Sequence, residues 1–207
     1  MVQAALAAIR AGGAHVGMDD IAAQAGVSKP ILYRYFADKA DLYLAVGRWT
    51  ADELLAEVLA VLDEDRGPRA HVAAIIDTYL RAVERDPDVY RFVVRRTFPE
   101  RQVGEDPVAE CTAMVASRVS RIIRQGLDWA GLDSSGAEAW GHGLVGLVQA
   151  TGDWWLEHRA LPRERLTDQL TTLVWEGLAG RLAAAGLDPE DTAWLTGRGA
   201  RRWSLSP

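Results

Sequence analysis

A lysine, an arginine and two tyrosines crowd into the stretch Gly26-Val27-Ser28-Lys29-Pro30-Ile31-Leu32-Tyr33-Arg34-Tyr35-Phe36, and a second lysine follows at position 39. Lys29 and Tyr33 are four residues apart, so a helix would place them on one face with Pro30 and Arg34 beside them. The chemistry open to such a face is recognition. An ammonium donates to the acceptors on a guanine edge, and apolar proline or tyrosine atoms can meet a thymine methyl. Tyr35 and Lys39 fall where a hydroxyl and an ammonium can grip phosphates, which fix position without reading sequence.

Bond-making chemistry finds little support. The four histidines, His15, His71, His142 and His158, lie far apart, with no H-E-x-x-H or Cys-His ligand spacing. There is also no P-loop and no G-x-S-x-G. Gly141-His142-Gly143-Leu144-Val145-Gly146 formally fits a dinucleotide fingerprint. No strand pattern precedes it and it lies inside a helical pattern, so its glycines are expected to serve packing. Cys111 sits on an apolar stripe and reads as core. The expectation is a non-enzyme with no catalytic residue, no metal and no cofactor.

The elements that must position the Lys29 face begin just upstream. Asp19-Asp20-Ile21-Ala22-Ala23-Gln24-Ala25 reads as a short helix, with Ala22 four residues before Gly26. A small residue there lets a second helix cross closely, and Gly26 can take the left-handed conformation that closes the first. Ser28 is expected as N-cap, with Pro30 in the first turn, where a missing N–H costs little. Leu32 and Phe36 then pack inward with Ile21 and Val27. This is the layout of a helix-turn-helix whose second helix enters a major groove. A solvated surface helix would show similar charge, but the close-packing alanine, the turn glycine and the two tyrosines off the buried face agree with one another.

Composition bounds where such a contact can lie. The chain of 207 residues carries a net charge of −6, which argues against nucleic-acid binding over the whole surface. Through residue 48, five basic side chains face four acidic ones, so that segment is +1 and the remainder −7. Any duplex contact is therefore local to the amino-terminal part. A single cysteine permits no internal disulfide, and the start shows no basic-then-apolar signal, so a cytoplasmic location is expected. No apolar run approaches the roughly 20 residues that span a bilayer.

Across the same residues, Met18 to Val46, "MDDIAAQAGVSKPILYRYFADKADLYLAV" resembles the TetR family of transcriptional regulators. The resemblance implies that Lys29, Pro30 and Tyr33 face bases and that Tyr35 and Lys39 hold phosphates. It departs at Gly17, where such proteins often carry a capping Thr or Ser that also touches the backbone. The chain starts almost directly in its first helix, so minor-groove contact from a basic arm is not expected.

Helical periodicity continues to the end, and the expected fold is all-α. Val72, Ile75, Ile76, Tyr79, Leu80 and Val83 form one apolar stripe ending near Asp86-Pro87. Val108, Cys111, Val115, Val119 and Ile122 form a second. A third runs through Leu166, Leu170, Leu173, Val174, Leu178 and Leu182. Val89 to Phe98 suits a short helix but also, at Val93-Val94, a strand; helix is the expectation. Turn-type clusters at Gly12-Gly13, Arg66-Gly67-Pro68, Pro99 to Pro107, Gly131 to Gly136 and Leu161-Pro162 separate the stripes. The expected division is a DNA-binding domain over 1–47, a larger helical domain over 48–186 and a tail over 187–207.

In the larger domain, Glu138 to His158 has one stripe of Trp140, Leu144, Leu147, Val148, Thr151 and Trp155 and another of Ala139, Gly143, Gly146 and Ala150. Two uncharged faces need two partners, and the helix at Arg163 to Ala185 can join the second in a four-helix homodimer interface about a two-fold axis, similar to TetR-family dimers. Burial within one monomer is the alternative. Tyr79, Tyr90, Phe92, Phe98, Trp129, Trp140 and His142 are candidates to line an effector cavity, with Arg95 or Arg96 meeting an anionic group. Ordinary core packing explains the same aromatics. The expected function is a dimeric, small-molecule-responsive regulator, a repressor, on a pseudo-palindromic double-stranded DNA operator. A helical ligand-binding or scaffolding protein without DNA affinity is the alternative.

Overall fold

The computed structural model describes residues 1–62, 66–94, 107–184, 186 and 188. Among these residues the protein is all-helical, with no strand. In chain order the helices are α1 (Val2–Gly12), α2 (Met18–Gln24), α3 (Lys29–Tyr35), α4 (Lys39–Leu62), α5 (Pro68–Arg85), α6 (Pro87–Val94), α7 (Pro107–Trp129), α8 (Ala137–His158) and α9 (Arg163–Ala184). Pro68, Pro87 and Pro107 each open a helix, where the ring's fixed φ suits the first turn and its missing N–H removes nothing. The ambiguous segment from Val89 is helical as far as Val94. Arg95, Arg96 and Phe98, the break at Pro99 to Pro107 up to residue 106, and the basic tail after Asp188 lie outside the described residues.

Two compact units emerge. The first combines Met1–Ala56 with the described part of Ala82–Cys111. Its core joins Leu6 and Ile9 of α1, Ile21 and Ala22 of α2, Leu32 of α3, Phe36, Leu42, Tyr43 and Val46, and Val89, Phe92 and Val93 of α6. The expected first domain, 1–47, lies wholly within this unit, to which α6 adds three core residues. Tyr43 and Phe92 meet ring to ring at 5.8 Å between centroids, and the Tyr43 hydroxyl donates to the Val93 carbonyl. Arg10 of α1 grips Asp86, at the α5–α6 junction, with both arms of its guanidinium, Nε at 2.7 Å and Nη2 at 3.0 Å.

The second unit combines Glu57–Arg81 with the described part of Thr112–Pro207. Ile76, Leu80, Trp155, Leu166 and Leu170 form an apolar cluster within it. The Trp155 indole donates to the Leu161 carbonyl at 2.7 Å, and Asp77 accepts from Arg163 Nε at 2.9 Å. Helices α7 and α8 touch at Gly141: a Cβ there would stand 2.1 Å from Ser120 Oγ and 2.9 Å from the Ala116 carbonyl oxygen. Gly152 plays the same part against the Tyr79 ring. The fingerprint-like glycines thus divide in use. Gly141 packs within the chain, while at Gly143 and Gly146 no atom of another element among the described residues lies within 4 Å of where a Cβ would sit. No helix among the described residues is long and apolar enough to cross a membrane.

Candidate nucleic-acid interface

The turn between α2 and α3 forms as its residues dictate. Gly26 has φ +65°, and the chain closes α2 with Gly26 N–H to the Ala23 carbonyl at 3.1 Å and Val27 N–H to the Ala22 carbonyl at 3.0 Å. That pair of bonds is a Schellman closure, and it needs a residue free to adopt positive φ. Ala22, almost wholly buried, leaves room for α3 to cross.

Ser28 occupies the N-cap of α3 as expected, but its side chain makes no capping bond. The reason is local. The second helical residue is Pro30, with no N–H to offer, and the Ile31 N–H already donates to the Ser28 carbonyl at 2.9 Å. At the start of α2, Gly17 has no side chain to cap with, and instead its own N–H donates to Asp20 Oδ2 at 2.9 Å. Helix α4 is capped from both directions: the Asp41 N–H donates to Asp38 Oδ1 at 2.7 Å, and the Ala37 N–H donates to Asp41 Oδ2 at 3.1 Å. This reciprocal cap fixes the first turn of α4, and with it Lys39. The Asp-x-x-Asp spacing carried that signal in the sequence, unused.

The two faces of α3 are sharply divided. Leu32 is fully buried and Phe36 nearly so, while Lys29, Pro30, Ile31, Tyr33, Arg34 and Tyr35 are all exposed, Tyr35 to 60%. Lys39 is half-buried. Five of the six candidate nucleic-acid residues therefore lie exposed on α3, and the sixth, Lys39, opens α4 four residues beyond it. Ile31 joins them unannounced by the sequence reading; as an exposed β-branched residue on a helix whose inner face is already complete, it supplies apolar atoms of the kind a thymine methyl accepts. Lys29 is not a free cation. Its Nζ pairs with Asp19 of α2 at 2.8 Å, and that carboxylate raises the lysine's proton affinity.

The aromatic set proposed for an effector is dispersed over both units. Phe92 is core of the first. In the second, Tyr79 is half-buried against Gly152, and Trp129 is half-buried at the end of α7. Trp140 is half-buried beneath the Arg181 guanidinium, and His142 is exposed on α8. Arg95 lies outside the described residues. Cys111 is half-buried, and burial pushes its thiol pKa up, away from a reactive thiolate. No group of three or more His, Cys, Asp or Glu among the described residues is arranged to hold a metal.

Comparison with known proteins is decisive for the family. Residues 2–46 match the model for bacterial regulatory proteins of the tetR family, and residues 57–193 match that for the tetracyclin repressor-like C-terminal domain. The chain belongs to the TetR family. An uncharacterized HTH-type transcriptional regulator of Mycobacterium tuberculosis is 34% identical over 90% of this TetR-family chain and 79% of its own length. The HTH-type transcriptional activator FasR of Mycolicibacterium smegmatis is 30% identical over 79% and 74%. In fold, this TetR-family protein is similar to the transcriptional regulator FadR of Bacillus subtilis in complex with stearoyl-CoA. The two share a TM-score of 0.64 over 84% of this chain and 95% of that one, at 18% identity. The TetR-family chain is thus a transcriptional regulator with a helix-turn-helix DNA-binding domain.

Proposed function

We propose that the protein is a cytoplasmic, dimeric repressor that reads a pseudo-palindromic operator with two copies of α3 and releases it when a small molecule occupies the larger domain. The observation that carries this reading is the division of α3: Leu32 and Phe36 buried, Lys29, Tyr33, Arg34 and Tyr35 in solvent. Lys29, Pro30 and Tyr33 then meet base edges with Arg34 beside them, and Tyr35 and Lys39 meet phosphates. A dimer is supported by the second unit, where Ala139, Gly143, Gly146 and Ala150 of α8 and Leu173, Gly177 and Gly180 of α9 are exposed, each set on one helical face.

Release is a shift between two dimer forms, one with the α3 helices spaced for successive major grooves and one without, biased by the ligand's preference for the second. Tyr79, Tyr90, Trp129, Trp140 and His142 are the effector-contact candidates among the described residues, and Phe92, the remaining one, is taken up in the core of the first unit. FadR, in its complex with stearoyl-CoA, makes an acyl-CoA the first effector to titrate, and FasR, named an activator, makes the sign of regulation a readout.

The test is a gel-shift titration against the promoter region beside the protein's own gene at two salt concentrations. Lys29→Ala and Tyr33→Ala are expected to lower operator preference. Lys39→Ala is expected to weaken binding to every duplex and to reduce the salt slope by about one charge. Unchanged binding in all three variants sinks the site assignment.

A further inference from the structure

The Lys29 ammonium is engaged before any duplex arrives. Its Nζ lies 2.8 Å from Oδ1 and 3.0 Å from Oδ2 of Asp19, so both carboxylate oxygens hold it. Asp19 belongs to the first turn of α2 and Lys29 opens α3; the tight turn at Gly26 brings them together across ten residues of chain. The neighbouring acid is occupied elsewhere, since Asp20 accepts the Gly17 N–H at 2.9 Å. With the lysine side chain 50% and the aspartate 73% exposed, the pair is screened by water and contributes little to holding the fold. Its consequence lies in what Lys29 can do next.

A carboxylate, a phosphate and a guanine edge all compete for the same three ammonium donors. A duplex of unrelated sequence meets one of two situations. Either Lys29 stays with Asp19 and contributes nothing, or it leaves and an unpaired carboxylate stands beside the phosphates. A guanine placed under Lys29 offers two acceptors in fixed geometry, O6 and N7, and replaces the contact that is lost. The matched complex always gives up the pair, whereas an unrelated one can leave it intact, so the pair subtracts at least as much from the matched complex as from the unrelated one. Resting on the DNA-binding reading above, we propose that Asp19 is an affinity-tempering residue: it holds Lys29 in the unbound protein, so that a duplex must break the pair before the lysine can engage it. Asp19 acts through Lys29 and is in that sense a positioning residue.

The test is a cycle of Asp19→Asn, Lys29→Met and the double variant in the full-length protein. The probes are the best duplex recovered by selection from a random-sequence pool and its scrambled counterpart, titrated over a range of salt. Asp19→Asn is expected to tighten the selected duplex by roughly twofold to fivefold, the scale of an exposed ion pair, and the scrambled duplex by no more. The selectivity ratio therefore holds or rises. In the Lys29→Met background the same substitution is expected to leave the affinity for the selected duplex unchanged. Equal tightening in both backgrounds would mean that Asp19 acts by bulk repulsion, and no tightening in the wild-type background would mean that it does not act at all; either result overturns the proposal. Failure of the unmodified protein to bind any duplex sinks the regulator reading itself, a different outcome. Asp19→Ser, which keeps a residue suited to a helix start, guards against a folding defect, and Tm within about 4 °C of wild type is the control.

Discussion

Arg10 and Asp86 are 76 residues apart in sequence and form a two-armed ion pair in the first unit. The hydrogen bond from Arg10 is the main reason that the Asp86 carboxyl is held below the usual range, and the Arg10 guanidinium is correspondingly raised. A carboxyl depressed in the folded state binds its proton more weakly there than in the unfolded chain. Its contribution to stability is therefore present above the ordinary carboxylate pKa and is lost as pH falls through the folded value. Asp86→Asn is expected to cost about 1 kcal/mol at neutral pH and to leave a flatter acid limb than the wild type, read by thermal melts at a series of pH values below 6. Equal melting curves would show the pair to be energetically silent. At this scale the sequence was partly legible. The α3 face could be read because residues three and four apart share a helix surface, whereas Lys29 with Asp19 and Arg10 with Asp86 could not. Those pairs depend on where a turn or a second helix brings side chains that no local spacing relates.

The helix-turn-helix was legible as an element because nearly every signal in it is local: the small residue, the positive-φ glycine, the proline in a first turn. Helix α6 was not. Pro87-Asp88-Val89-Tyr90-Arg91-Phe92-Val93-Val94 is short, and its Val-rich end suits a strand as well as a helix, so the pattern left both open. What decides it is tertiary: Val89, Phe92 and Val93 fall on one helical face and fill the core shared with α1 and Tyr43. The element assigned by sequence to the larger domain is therefore part of what keeps the DNA-binding helices in place. Phe92→Ala should cost about 3 kcal/mol by leaving a cavity beside Tyr43. Operator affinity should fall with it, although Phe92 is buried and cannot touch a duplex. Chemical denaturation and gel shifts on the same variant check this; full operator affinity with a lowered unfolding midpoint would separate α6 from the DNA-binding helices.

For the whole molecule, the glycines of α8 divide into those packed within the chain and those that face outward. Gly141 sits against Ser120 and the α7 backbone, and a methyl there would stand 2.7 Å from the Ser120 nitrogen, too close unless one helix moves. Gly143, two residues on, looks outward with no atom of another element among the described residues within 4 Å, in line with the exposed Ala139, Gly146 and Ala150. A similar exposed run crosses α9 at Leu173, which is 60% exposed although the sequence pattern placed it in an inward stripe. Leu173 stands in solvent between Gly177 and Gln169, on a helix otherwise anchored by Leu166, Leu170 and Val174, and the proposed pairing would cover it. Gly141→Ala is thus expected to destabilise each chain by about 1–3 kcal/mol through overpacking. Gly143→Glu should leave the chain's own packing untouched and place two like charges in the small-residue seam of a dimer. Light-scattering mass should fall towards the monomer value of 22.6 kDa for Gly143→Glu alone, with operator binding reduced because the two half-sites are no longer engaged together. If Gly143→Glu remains a dimer with full operator affinity, the pairing surface lies elsewhere and the two α3 helices are spaced by another part of the molecule.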